Sequence, residues 1–188
     1  MNNPILYPKK YNLIFILVLT FLAIVLPFKT AASSGITKDS IIELTNKNRQ
    51  LNNSPVLIEN DKLDMAAFNK ALDMININYF DHYSPFGATP WNFIITQNYD
   101  YSYAGENLAM DFDTSEGIIK AWMNSPTHAK NILNPIFHDI GVAVIDGNIN
   151  GSETTLVVQM FGSEQKTIFN SILDMPVVQT VSKILGIK

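Results

Sequence analysis

The chain has 188 residues, 47% hydrophobic and 16% charged, which is enough apolar side chain for one buried core and too apolar for a chain disordered throughout. It contains no cysteine, so disulfides, thiol nucleophiles and thiolate metal sites are excluded, and any metal must be held by histidine and carboxylate. The net charge of −4 hides a more acidic body: residues 1–32 hold Lys9, Lys10 and Lys29 and no acid, leaving 10 basic and 17 acidic residues, net −7, with no basic cluster or aromatic platform for nucleic acid.

Lys9 and Lys10 precede an apolar run over residues 13–26 that only Thr20 relieves. Its length suits a signal-peptide core and falls short of the roughly 20 residues that span a bilayer. Pro27 ends it, small residues follow, and cleavage after Ala32 is expected. The alternative is an uncleaved N-terminal membrane anchor. Either arrangement places the rest of the chain in an extracytoplasmic compartment, secreted or tethered.

Residues 37–51 read as the first helix, capped by Thr37 or Asp39, with Ile41, Leu44 and Asn48 on one stripe. A turn at Asn52-Asn53-Ser54-Pro55 leads to a short extended segment, 56–58. Asp61 is expected to cap a second helix reaching Asn78, with Leu63, Ala66, Ala67, Ala71, Met74 and Ile75 at helical spacing. Residues 79–87, YFDHYSPFG, form an aromatic loop broken by Ser84-Pro85 and Gly87, and His82 lies in it. Taken alone, this is a loop that covers the core. Thr89-Pro90 starts a short helix, and 98–103 reads as an irregular connector.

Ala104-Gly105 suggests a tight turn. Glu106 follows among small and apolar residues, so it is expected to be partly buried, and a buried carboxylate needs a cation, a metal or several hydrogen bonds. Backbone amides alone could meet that need. Residues 113–116 resemble a capping box before a helix with the four-apart pairs Ile118/Trp122 and Ile119/Met123. Ser125 then caps a further helix with Pro126 in its first position, which puts His128 third. The positive end of the helix dipole disfavours imidazolium there, so His128 is biased towards its neutral, ligand-competent form. Residues 140–145 and 155–161 are β-branched runs, read as an antiparallel hairpin with a long polar loop over 146–152. His138 is expected to be exposed. The tail, 164–188, is divided by Pro176 and fits a strap, an interfacial helix or a loose end.

Five of these stretches occur in a telling order: YFDHYSP.G, AGENLA, AWMNSPTHAKNIL, IGVAV and QMFG. With Asn46 and Arg49 in the first helix, they resemble the bacterial branch of the CAP superfamily, which groups cysteine-rich secretory proteins, antigen 5 and pathogenesis-related proteins. The resemblance covers residues 38–162 and implies a CAP (SCP-like) domain over 37–163. It implies an α+β fold, an α-β-α sandwich with a small antiparallel sheet between helices. It also implies a metal site at His82, Glu106 and His128. The family's second acid falls at Ser125, so that tetrad is incomplete. Two histidines and one glutamate still suit a divalent metal such as Zn²⁺.

Three functions fit. The first is an exported binding module for a lipid or cell-envelope component, with aromatic residues of 79–86 and 99–103 around the cleft. The second is a structural domain whose His/Glu cluster holds loops together. The third, with the least support, is a metal-dependent hydrolase, for the chain has no nucleophile elbow and no HExxH helix.

Overall fold

The computed structural model describes residues 35–165 and 175–185. The expected N-terminal export segment, 1–32, lies outside the described residues. Among the described residues no helix is long and apolar enough to cross a membrane.

The elements run α1 (Lys38–Leu51), β1 (Ile58–Glu59), α2 (Asp61–Ile77), α3 (Pro90–Thr96), β2 (Tyr101–Met110), α4 (Ser115–Asn124), α5 (Pro126–Leu133), β3 (Asp139–Ile149), β4 (Ser152–Glu164) and α6 (Pro176–Leu185). The sheet order is β1-β3-β4-β2. The β3, β4 and β2 pairings are antiparallel as expected, and the two-residue edge strand β1 adds one parallel pairing, so the sheet is mixed.

Successive side chains on a strand face opposite ways, and here both ways are apolar. Leu156, Val158 and Met160 of β4 pack with Leu108 and Ala143 against Leu63, Ala66, Ala67, Ala71 and Met74 of α2 and Ile94 of α3. Val157 and Phe161, one residue out of phase, pack with Ala109, Ile140 and Val142 against Ile41, Ile118, Ile119, Trp122 and Ile132 of α1, α4 and α5. This produces the α-β-α sandwich: the sheet is a shared wall between two cores.

Several local expectations are corrected. The long hairpin loop is a two-residue turn, because Asn150 (φ 53°) and Gly151 (φ 82°) both take the left-handed conformation that matches strand twist. Asn60 caps α2 rather than Asp61, its side chain accepting from the Lys62 amide. Helix α1 buries Ile41, Thr45 and Arg49, not the Ile41, Leu44 and Asn48 stripe. Arg49 is admitted because its guanidinium donates to four carbonyls: Pro55 (2.5 Å), Ile132 (2.8 Å), Asn134 (2.9 Å) and Phe137 (3.2 Å). Three of these lie at or beyond the C-terminal end of α5, where a cation is favoured. In the tail, Pro176 opens α6, whose Val177, Val181, Ile184 and Leu185 are exposed.

Trp122 holds α4 down on the sheet. It is 3% exposed, and its indole Nε1–H donates to the Leu108 carbonyl at 3.0 Å. Trp122→Ala is expected to lower stability by about 3–5 kcal/mol in chemical denaturation, since it opens a cavity and orphans that carbonyl. An unchanged denaturation midpoint would contradict this packing.

Candidate functional site

Strand β2 is an edge of the sheet, so alternate carbonyls on its free side need partners from elsewhere. The segment from α4 to α5 supplies them. Trp122 Nε1 takes the carbonyl of Leu108, and Asn131 Nδ2 takes that of Glu106 at 2.9 Å. The same Asn131 amide reaches Asn107 Oδ1 at 3.0 Å, and Asn107 Nδ2 donates to the His128 carbonyl (3.4 Å) and to Gln159 Oε1 (3.0 Å). Gln159 Nε2 continues to Thr45 Oγ1 at 2.8 Å. The helix bearing His128 is thus tied by side-chain amides to the strand bearing Glu106. Gly105 does not make the expected turn. It lies inside β2, and a Cβ there would come within 2.9 Å of the Phe137 ring.

Glu106 shares a strand face with Leu108 and points to the α2 side. Its side chain is 2% exposed, and Oε1 lies 2.5 Å from His82 Nδ1. Oε2 is buried and has no hydrogen-bond partner among the described residues. His82 comes from the loop between α2 and α3, with its ring half exposed. The Glu106 bond raises the His82 pKa above its ordinary value, outweighing burial. Burial pushes the Glu106 carboxyl up, and the His82 bond opposes it.

His128 is third in α5, as expected, but Ser125 does not cap that helix with its side chain. The Ser125 hydroxyl instead lies 2.8 Å from His128 Nδ1. The imidazole stacks on Trp122 with centroids 6.4 Å apart and planes at 20°. Burial first, and the charge of His82 second, hold its pKa below the ordinary value. Of the two, His82 is therefore the more readily protonated.

The sequence missed Lys70, Asn107, Asn131 and the orienting role of Ser125. Lys70 did leave a signal: a lysine on the apolar stripe of Ala66, Ala67 and Met74. Tyr79 and Tyr99, placed at the cleft rim by the sequence, are core residues, whereas Tyr83, Phe86 and Tyr103 are exposed. Among the described residues no group of three or more histidine, aspartate or glutamate side chains is arranged to hold a metal ion. His138 is exposed. The surface hollow of about 730 Å³ lined by Lys38, Asp64, Phe68, Phe112, Asp146 and Thr155 is elsewhere. There Asp64 pairs with Lys38 and Thr155 with Asp146, whereas at Glu106 a buried carboxylate oxygen has no partner among the described residues.

The α-β-α fold agrees with the comparisons. The family model described as the cysteine-rich secretory protein family, CAP, matches residues 42–161, and the chain belongs to that family. The Bacillus subtilis (strain 168) protein YkwD is 40% identical over 119 residues, which is 62% of this chain and 46% of that protein. The B. subtilis membrane protein YlbC is 29% identical over 108 residues, 57% of this chain and 31% of its own length. The chain spans less than half the length of both relatives. Among solved structures, an extracellular SCP-domain protein of Bacillus anthracis superposes with a TM-score of 0.58 at 29% identity, over 68% of this chain and 40% of that one. An outer surface protein of Borrelia burgdorferi shares the fold, with a TM-score of 0.59 at 22% identity, over 68% of this chain and 92% of that one.

The carboxylate should set the basicity of its neighbour. A histidine whose pKa is raised by a partner contributes stability that is present below its unfolded value of about 6.5 and lost as pH rises through the raised folded value. In Glu106→Gln the His82 ring is expected to titrate at lower pH than in the wild type, followed by the imidazole proton signals. An unmoved or higher titration point would show that the carboxylate does not act on this ring.

Proposed function

We propose that this CAP domain is an exported binding module whose edge-strand site takes a divalent cation, best Zn²⁺, through His82 and His128. One observation carries this: both imidazoles spend Nδ1 on a protein partner, Glu106 or Ser125. Each Nε2 is then without a protein partner among the described residues. Histidine ligands are commonly oriented in this way, by a second partner on the other ring nitrogen. Glu106 becomes an orienting carboxylate rather than a third equal ligand, and Ser125 does the same work at the position where the family's second acid is absent. The orphaned Oε2 fits a site that expects a positive neighbour. Bound there, the ion supplies positive charge and open coordination positions for an anionic or carbonyl-bearing ligand.

Export is supported by the Lys9-Lys10 and 13–26 pattern and by the extracellular relative in Bacillus anthracis. A lipid or cell-envelope component is the partner class, supported by Phe86 and Tyr83, 83% and 60% exposed in the loop that carries His82. Hydrolysis, in which Glu106 would have to act as the base towards a metal-bound water, has weaker support, because that carboxylate is already engaged by His82.

Zinc titration by calorimetry tests the reading. One ion per chain is expected, with binding lost in His82→Ala/His128→Ala while the circular dichroism spectrum is kept. Affinity should fall as the pH drops below about 6, and earlier through His82 than through His128. A wild-type protein that binds no zinc at neutral pH would leave only the structural role.

A further inference from the structure

Helix α2 buries a lysine. Lys70 is fully buried, on the same stripe as Ala66, Ala67 and Met74, and so points into a core. Burying an ammonium ion is costly unless each of its three protons finds an acceptor. Here all three do: Nζ donates to Tyr79 Oη at 2.9 Å, to the Asp81 carbonyl at 2.8 Å and to the His82 carbonyl at 3.0 Å. No carboxylate forms an ion pair with it among the described residues. The rings of Tyr79 and Phe93 lie 4.7 and 5.7 Å from Nζ and add cation–π attraction. Tyr79 is itself held, donating to Asp73 Oδ2 at 2.5 Å, one turn of α2 further on.

The acceptors matter more than the donor. Asp81 and His82 are consecutive residues of a loop without regular structure, and Lys70 is the one protein donor to both of their carbonyls among the described residues. The contact that aims the His82 ring, its bond to Glu106, comes from a different element. Holding the backbone at His82 itself removes the freedom that would let this half-exposed ring swing away from Glu106.

We propose that Lys70 is the positioning residue of the site: its buried ammonium clamps the backbone of Asp81 and His82 so that the His82 ring meets Glu106. This rests on His82 being a site residue, and it adds a structural cause for where that residue stands.

The test uses the full domain in three forms, wild type, Lys70→Met and Lys70→Arg. In the metal-free wild type, the Lys70 ammonium protons should exchange with solvent far more slowly than those of exposed Lys47, seen by nitrogen-15 NMR of the lysine side chains. In Lys70→Met, nuclear Overhauser contacts between the His82 ring and residue 106 should disappear at temperatures where the protein is still folded. Zinc affinity should fall by about 10–100-fold, the usual effect of losing an outer-shell partner. Lys70→Arg should recover part of both. Rapid exchange at Lys70 in the wild type would overturn the proposal even if Lys70→Met fails to fold. So would a folded Lys70→Met with His82 contacts intact. If the wild type binds no zinc, the cation reading fails by itself, and the His82 ring contacts still decide the role of Lys70.

Discussion

The free edge of β2 is the constraint from which the site follows. A strand at the end of a sheet leaves carbonyls that must be hydrogen-bonded, and water cannot reach them beneath packed helices. Trp122 and Asn131 answer that requirement at Leu108 and Glu106, two carbonyls two residues apart. To do so, α4 and α5 must meet at a corner beside β2, and Ser125-Pro126 makes the corner. The backbone of His128 is therefore tied to β2 through Asn107, the residue after Glu106, because the two helices are closing an edge. Arg49 fixes the far end of α5 by drawing the carbonyls of Ile132, Asn134 and Phe137 onto one guanidinium.

The site is assembled from both layers of the sandwich. Glu106 faces the α2 core, and His82 and Lys70 come from that side. His128 belongs to the helix layer on the opposite side of the sheet. An interior strand would have separated them, but at the edge of a sheet the two layers can reach around to one another. Burial first, and the charge of His82 second, depress the pKa of His128. The two histidines have opposite pKa displacements, so His82 is the more readily protonated ring.

Much of the local structure was legible because it obeys local rules. The Ser-Pro corner, the third-position histidine and the Ile118/Trp122 pairing need only a few neighbouring residues to decide them. The sequence failed where polar groups are buried. Thr45, Arg49, Lys70, Asn107 and Gln159 break the hydrophobic period, and each is tolerated only because a distant residue supplies its hydrogen bonds. The Asn150-Gly151 turn was hidden among neighbouring asparagines and glycines, and the β3–β4 register chose between them. The meeting of His82 with Glu106 has no local signal at all. The family resemblance, carried by motifs in order, brought those two residues together before any geometry did. It gave Glu106 the role of ligand, whereas the carboxylate lies against Nδ1 of the His82 ring.

Glu106 engages His82 at Nδ1 and thereby leaves Nε2 as the acceptor. A free histidine prefers to carry its proton on Nε2, so the arrangement demands the less common neutral tautomer. Nitrogen-15 NMR of the imidazoles, recorded on the metal-free protein at a pH high enough to deprotonate His82, reads the tautomer directly. The His82 proton is expected on Nδ1, shared with Glu106, and should return to Nε2 in Glu106→Ala. A wild-type His82 with its proton on Nε2 would contradict the Nδ1–H bond to Glu106.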